Sequence, residues 1–458
     1  MAQQPSDNPG DDPEKRPQNP FAGTPFEQMF AAFGGGGTPG QGGPDLSALM
    51  QQVQRMFTPY EGTVNWTLAK DTARSTVAQS TDPSPTQSDQ GAVDAAVRLA
   101  ELWLDPVCGF DATGARTAAW SRAEWVEATM DSWQQMVEPM AGQMTTAMQR
   151  ALPDEAQAMA GPIMGMLTQA GGSMFGAQVG QGVAALAAEV LSSTDIGIPL
   201  TDGTVTALVT ANVSAFSEGL DVEQSDVMIY LALRECAHQR LFGHVPWLRS
   251  HLLSAVEDYG RGLTIDTGRI EEAMSSMDPG NLEAMQEMMS GGLFVPEETE
   301  TQRAALQRLE AALALVEGWV DDVVGQATHN RMPAAGRLQE AVRRRRAAGG
   351  PAEQTFASLV GLELRPRRLR DAATLWGALR SAKGQEARDA VWAHPDLLPT
   401  AADLDDPIGF SADDATAESP ATDAEFDAAL AELLDSAGRD ADGEAPGDET
   451  PGDGDERR

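Results

Sequence analysis

The residues of this chain whose types and spacing could support chemistry lie in the pentapeptide RECAH, residues 234–238. In the metal-binding pattern HExxH, two histidines four residues apart lie on one face of a helix and bind zinc, and the glutamate between them activates a water. Glu235 and His238 occupy the second and last positions of that pattern, but Arg234 stands at the first. A guanidinium stays protonated and offers no lone pair to a metal. The substitution therefore predicts weak or absent zinc binding.

An amphipathic pattern places these residues on a helix that begins after Asp221 and runs to about Phe242. Glu235 and His238 share one stripe of that helix, and Arg234 lies on the neighbouring stripe. Both stripes are mainly apolar, so we expect the three side chains in or beside the core. Polar groups placed there must be paired, because an unpaired one costs about 2 kcal/mol or more.

The placement leaves several interpretations open. In a structural one, the three polar residues pair with each other or with neighbours as a buried ionic network, in which Glu235 offsets the charge of Arg234. In a functional one, Glu235 polarises a metal-bound water, His238 is the surviving metal ligand, and a third ligand comes from elsewhere. A Glu-x-x-His pair also occurs in di-iron bundles, but those need a second copy and two further carboxylates. The chain contains this copy alone.

The longer string LALRECAHQRLFGHVPWLRSHL, residues 231–252, resembles the zincin-like metallopeptidase family of actinobacteria. Further similarity lies in VNWTLAKDTA (64–73), LALVEGWVDDVV (313–324), FASLVGLELRPRRLRDAATLW (356–376) and VWAHPDLLPTAADLDDP (391–407), so it spans roughly residues 60–410. Members are often labelled hydrolases, and a sister branch is associated with deazaflavin cofactor biosynthesis. The branch that this chain resembles commonly carries Arg at the first His position. The resemblance implies a fold more firmly than an activity.

The same resemblance directs attention to a third metal ligand. Zincins of the Glu type take it from a helix shortly after the motif, and Glu257 lies 19 residues beyond His238. Glu257 falls well off the apolar face of its predicted helix, however. Glu317 is a second candidate, beside the apolar stripe of a predicted helix over Gln302–Val324. We expect Glu317 to be solvated or ion-paired, and to be a spare ligand if a metal is present.

Composition excludes several classes of protein. The net charge of −37 would repel a phosphate backbone, which argues against nucleic-acid binding. No apolar run is long enough to span a membrane, and the first residues lack the basic and apolar regions of a signal peptide, so we expect a cytoplasmic protein. The two cysteines, Cys108 and Cys236, are expected to be reduced thiols.

Changes in composition divide the chain into three parts. Residues 1–60 are rich in Gly and Pro and are expected to be a disordered N-terminal segment. Residues 61–410 form the predicted mainly α, multi-helical zincin-like domain. Residues 411–458 hold 16 acidic residues against three Arg, a net charge of −13, and are expected to be a disordered tail with a short amphipathic helix. A basic stretch, residues 337–370, has nine Arg against three Glu and could improve solubility, pair with acidic surface or bind this tail.

The function that the sequence favours is that of the family, a zinc-dependent hydrolase whose activity on peptide bonds is in doubt. In that case Glu235 is the catalytic residue, and His238 and Glu257 are the metal ligands, with Arg234 in the place of the missing one. The alternative is a non-catalytic protein that retains the fold and interacts with a protein or peptide partner. The sequence identifies neither the substrate nor the partner.

Overall fold

The computed structural model describes residues 60–150, 161–261, 299–347 and 368–412. The helices of the first half are α1 (Trp66–Gln79), α2 (Gln87–Leu104), α3 (Arg122–Arg150), α4 (Gly161–Glu189), α5 (Thr210–Ser217), α6 (Gln224–His244) and α7 (Pro246–Arg261). Those of the second half are α8 (Glu300–Thr328), α9 (Ala335–Ala347), α10 (Leu369–Lys383), α11 (Gln385–Ala390), α12 (Ala401–Asp405) and α13 (Pro407–Ala412). Two 3-10 turns, Val391–Ala393 and Pro395–Leu397, lie between α11 and α12.

Two short strands accompany the helices, β1 (Arg116–Trp120) and β2 (Val205–Val209). They run parallel, with Arg116 opposite Val205 and Trp120 opposite Val209. The other edge of β2 is occupied by the segment after α4, where Ser193 N donates to Ala207 O at 3.0 Å and Val209 N donates to Leu191 O at 2.9 Å. These main-chain bonds fix the chain at residues 191–193 beside β2.

Helix α6 lies at the centre of the described domain, and it packs against α2, α8 and β2. Every residue from Tyr230 to Leu241 is buried, so the helix has no solvent-exposed face over these three turns. A helix that is apolar or paired all round is typical of a core position. Arg234, Glu235 and His238 are consequently carried into the interior, as the two apolar stripes predicted.

Side-chain caps explain where several helices begin. Ser121 N donates to Glu124 Oε2 at 2.7 Å and Glu124 N donates to Ser121 Oγ at 3.2 Å, which makes a capping box at the start of α3. The same arrangement starts α2 with Thr86 and Asp89. Helix α2 therefore begins at Gln87.

Helix α8 is longer than the predicted Gln302–Val324 and begins with a capping box between Thr299 and Gln302. Five of the six apolar positions of the predicted stripe are buried, and the sixth, Leu306, is half-buried. The buried five are Leu309, Leu313, Val316, Val320 and Val323. Glu317 and Asp321 lie among them, 0% and 3% exposed. Their spacing of four residues places both carboxylates on the side of α8 that meets α6.

The prediction of a mainly α fold is confirmed. Most of the two predicted tails, 1–60 and 411–458, lies outside the described residues, as does the short helix expected in the acidic tail. Among the helices that the structure describes, none combines the length and the apolar character needed to cross a membrane.

Candidate functional site

The first ligand position of the motif is occupied by an ion-paired guanidinium. Arg234 Nη2 lies 2.6 Å from Glu317 Oε2, and Arg234 Nη1 lies 3.4 Å from Asp321 Oδ1. All three side chains are buried, so solvent screens these charges little. The expectation that Glu235 offsets Arg234 is wrong, because the partners of Arg234 come from α8.

Glu235 has its own set of partners, and none of them is charged. The carboxylate is 0% exposed and accepts four hydrogen bonds, from Ser193 Oγ, Thr194 N, Thr194 Oγ1 and Gln239 Nε2. The last three measure 3.1, 2.6 and 2.8 Å. Ser193 and Thr194 reach Glu235 because their segment is held against the edge of β2. Sequence reasoning missed Ser193 and Thr194, which lie 42 and 41 positions before Glu235 without a recognisable motif.

His238 joins the main chain of α6 to the side chain of Glu317. Its Nδ1 lies 2.9 Å from the carbonyl oxygen of Arg234, and its Nε2 lies 3.0 Å from Glu317 Oε1. A backbone carbonyl can only accept, and an ionised carboxylate can only accept. A ring nitrogen that carries a proton therefore donates to the partner that it faces, and His238 links α6 to α8.

Helix α9 supplies further arginines to the same carboxylates. Arg346 Nη1 lies 2.8 Å from Glu317 Oε1, and Arg343 Nε donates to Asp321 Oδ2 at 2.9 Å. We call Arg234, His238, Glu317, Asp321, Arg343 and Arg346 the arginine network. It contains two carboxylates and three guanidinium groups, so positive charge is in excess. Two arginines of the predicted basic stretch therefore contact buried carboxylates. Arg343 and Arg346 are three residues apart on one helix, and this spacing was the sequence feature that could have indicated a shared face.

Next to the network, Asp195 attaches α9 to the segment that holds Glu235. Arg345 Nη1 lies 2.9 Å from Asp195 Oδ2, and Arg346 donates to the carbonyl oxygen of Asp195. Arg345 also donates to the carbonyl oxygen of Glu189 at the end of α4. The segment 189–195 therefore contacts Glu235 on one side and α9 on the other, and it covers the site.

Charge keeps the buried carboxylates ionised. Burial by itself would raise the pKa of Glu317, but the charges of Arg346, His238 and Arg234 outweigh it and hold that pKa well below its usual range. Burial opposes Arg345 and Arg346 in the same way at Asp195, and the net effect lowers the pKa of Asp195. Burial also raises the pKa of the Tyr230 hydroxyl, which adjoins Arg234, to about 12.

Glu257, the third ligand expected from the spacing, lies on α7 and is half-buried. The carboxylate that contacts His238 is Glu317. The structure thus brings Arg234, His238 and the spare candidate Glu317 together. It places Glu235 against the segment 193–194 instead.

The donor set around Arg234 does not fit a zinc ion. Arg234 has no lone pair to offer, and Nε2 of His238 is directed at Glu317, which is itself bound by two guanidinium groups. Within the residues that the structure describes, no three or more His, Cys, Asp and Glu side chains are grouped so that they could hold a metal ion. A tetrahedral zinc site needs at least three protein ligands that point at one centre.

A cavity of about 230 Å³ lies beside the network. Its lining includes Tyr230 from α6, Gln339 from α9, and His329 and Asn330 from the turn between α8 and α9. Gln339 Nε2 donates to Asp321 Oδ2 at 3.2 Å, so one wall of the cavity is part of the hydrogen bonding around the network.

Three comparisons relate this chain to known proteins. The model of a family described as zincin-like metallopeptidase matches residues 64–410. A crystal structure from Chloroflexus aurantiacus, described as a putative hydrolase with a novel fold, is similar with a TM-score of 0.55 and 18% identity, covering 78% of this chain and 100% of that chain. At that identity the likeness concerns the fold alone. No curated protein sequence is significantly similar to this one. The family match extends over most of the chain, and the chain therefore belongs to the zincin-like metallopeptidase family.

Proposed function

We propose that this chain is a non-hydrolytic member of its family, which retains the fold and acts by binding a protein or peptide partner. The observation that supports the proposal is the ion pair between Arg234 and Glu317, at 2.6 Å in the interior. The guanidinium of Arg234, which is always charged, lies at the position where HExxH has its first histidine ligand. An arginine in this place has the charge of a bound cation without its ability to activate water.

The surroundings of Glu235 support the same conclusion. A catalytic glutamate of the HExxH type must take a proton from water beside the metal and the scissile carbonyl. Glu235 is fully buried and accepts hydrogen bonds from Ser193, Thr194 and Gln239. Bonds to a charged group contribute about 1.5–3 kcal/mol each, so freeing this carboxylate for chemistry would be costly. In this proposal Glu235 holds the segment 193–194 against α6.

The net charge of the chain favours some classes of binding partner over others. A net charge of −37 disfavours nucleic acid, whose phosphates would be repelled. Protein or peptide partners with basic surface meet no such barrier.

Zinc-dependent peptide hydrolysis is the second candidate function, and family membership over residues 64–410 favours it. It requires Glu235 to act as the general base and His238 to bind zinc. Both requirements conflict with the contacts described above, unless the site rearranges when a metal or substrate binds.

The two candidates are separated by an experiment on the full chain, purified without chelator and then supplied with zinc. Zinc content is measured by elemental analysis, and cleavage of a diverse peptide mixture is followed by mass spectrometry. We expect zinc far below one ion per chain and no cleavage above that of Glu235→Gln. Zinc close to one ion per chain, together with cleavage that Glu235→Gln abolishes and the exposed control Glu218→Gln retains, would overturn the proposal.

A further inference from the structure

We infer that the cavity between α6, α8 and α9 binds a small organic carboxylate, which accepts hydrogen bonds from the main-chain N–H of Gly336 and from the hydroxyl of Tyr230. The described residues that line this cavity include none of the pentapeptide RECAH. The inference goes beyond the proposed function, because it concerns a separate site and does not depend on a protein or peptide partner.

The first donor is the main chain at the start of α9. Ala335 N donates to Met332 O at 3.1 Å, and Arg337 N donates to Ala334 O at 3.0 Å. Gly336 lies between these two donors and lines the cavity, and no acceptor among the described residues takes up its N–H. The first N–H groups of a helix lack partners within the helix, and they favour negative charge. Gly336 therefore offers a main-chain donor to a ligand in the cavity.

The second donor is the hydroxyl of Tyr230, a side chain that is 2% exposed and lines the cavity. A guanidinium can only donate, so the hydrogen bond between Arg234 and this hydroxyl uses the Tyr230 oxygen and leaves its hydrogen. Within the part of the chain that the structure describes, no hydrogen bond takes up that hydrogen. Burial raises the pKa of Tyr230 to about 12, so the hydroxyl keeps its proton at neutral pH. A buried donor without an acceptor is unfavourable, and a ligand oxygen would satisfy it.

The acceptors near the cavity already have donors, which favours an anionic ligand over a cationic one. At the end of α8, the carbonyl oxygen of Thr328 accepts from Arg331 N and from Met332 N, each at 3.0 Å. Asp321 accepts from the Gln339 amide of the cavity wall, and two guanidinium groups of the arginine network also bind it. The negative groups around the cavity are therefore compensated, whereas two donors remain without acceptors.

Size and charge favour a carboxylate over other anions. A cavity of about 150 Å³ can hold a benzene molecule, and this cavity of about 230 Å³ has room for a ring or a short chain with one carboxylate. The two carboxylate oxygens can accept one hydrogen bond each from Gly336 and Tyr230. Phosphate is typically bound by Arg or Lys, and the described lining contains neither. The net charge of −37 also opposes a doubly charged ligand more than a singly charged one.

The test measures binding to the full chain by ligand-observed NMR titration. The probes are acetate, butyrate and benzoate, which differ in size, each compared with its neutral amide and with inorganic phosphate. We expect at least one of the three carboxylates to bind with a Kd of about 0.1–10 mM. Its amide and phosphate should bind about tenfold more weakly or less, because hydrogen bonds to a charged acceptor are stronger than those to a neutral one.

Variants of the two donors locate the bound carboxylate. Gly336→Pro removes the N–H at a position in the first helical turn, where proline is tolerated. Gly336→Ala is its matched control, because it adds carbon at the same place and keeps the N–H, and its Cβ would meet nothing within 4 Å. We expect the Kd of Gly336→Pro to exceed that of Gly336→Ala by about tenfold, and Tyr230→Phe to raise the Kd of the natural chain by a similar factor.

The melting temperature of each variant shows whether it is folded. Tyr230→Phe keeps the ring in the core and decides the question if Gly336→Pro does not fold. The inference is overturned if none of the three carboxylates binds, or if an amide or phosphate binds as tightly. It is also overturned if Tyr230→Phe binds like the natural chain, or if folded Gly336→Pro binds like Gly336→Ala.

Discussion

A buried carboxylate that accepts four hydrogen bonds uses most of its acceptor capacity, and Glu235 is such a group. How firmly Glu235 is held depends on which of its four donors can rotate away from it. The hydroxyls of Ser193 and Thr194 can rotate, and the Gln239 amide can turn over, but the main-chain N–H of Thr194 can only donate. At the scale of the residue, Glu235 links α6 to the segment 193–194 through hydrogen bonds.

Glu235→Gln should therefore destabilise the fold. The new amide can accept from Thr194 N with its oxygen, but its NH₂ group then faces the donors on the other side. We expect the free energy of unfolding to fall by about 1–2 kcal/mol, measured by urea denaturation. The exposed control Glu218→Gln should change it by less than about 0.5 kcal/mol. Equal midpoints for the two variants would show that the four bonds contribute nothing.

The sequence predicted the burial of Arg234, Glu235 and His238, because helical periodicity is a local property. It did not predict their partners. Arg234 meets Glu317 across 83 residues of chain, and Glu235 meets Thr194 across 41. Pairing over such separations depends on how the helices pack. No short pattern in a single sequence indicates that packing. The sequence predicts Glu317 only as a solvated or ion-paired residue beside an apolar stripe, and as a spare ligand if a metal is present.

At the scale of the element, the contact between α4 and α1 depends on glycines. A Cβ added at Gly176 would lie 2.5 Å from Asn65 O, and one at Gly180 would lie 2.3 Å from Ala69 O. This close approach occurs on one face of α4 only. Met174, on another face, is 67% exposed.

Gly176→Ala should consequently cost stability even though alanine favours a helix. The added methyl meets the main chain of α1, which cannot turn aside, and overpacking of this kind costs about 1–3 kcal/mol. Gly171→Ala is the matched control, since its Cβ would meet nothing within 4 Å, and it should stabilise by up to about 1 kcal/mol. Thermal melting of both variants is sufficient. A stabilised Gly176→Ala would mean that the two helices are not in contact there.

The strands were the elements that sequence reasoning missed. Each has five residues, and β2 reads VTALV, an apolar run that periodicity alone does not separate from a buried helix segment. Helices α6 and α8 could be predicted because their apolar spacing recurs over many residues. Short elements that depend on a distant partner for their hydrogen bonds carry no such repeated signal.

At the scale of the whole molecule, acidic residues outnumber basic ones, and several carboxyls are held ionised. The pKa values of Glu317 and Asp195 are lowered in the folded chain because arginine charges outweigh burial. A lowered folded-state pKa stabilises the fold above the unfolded value, and that contribution is lost as pH falls towards the folded value. The relevant window lies below about pH 4.3, the ordinary carboxyl range.

We therefore expect the melting temperature to be nearly constant from pH 7 to pH 5 and to drop below about pH 4.3. Each such carboxyl changes the free energy of unfolding by up to about 1.4 kcal/mol per pH unit in that window. Asp195→Asn should be less stable at pH 7 and should show a shallower loss on acidification. Parallel curves of melting temperature against pH for Asp195→Asn and the natural chain would contradict the role assigned to the Asp195 charge.

The attachment of α9 to the segment 189–195 also has a consequence for the order of folding. Arg345 and Arg346 lie 156 and 151 residues after Glu189 and Asp195, so these bonds close some of the longest loops in the described chain. Contacts that bridge so much sequence are expected after local helices and their nearer pairings have formed. Interactions absent from the folding transition state act mainly on the unfolding rate. The two arginines are then expected to lengthen the lifetime of the folded domain, while the speed at which it folds is set by other parts of the chain.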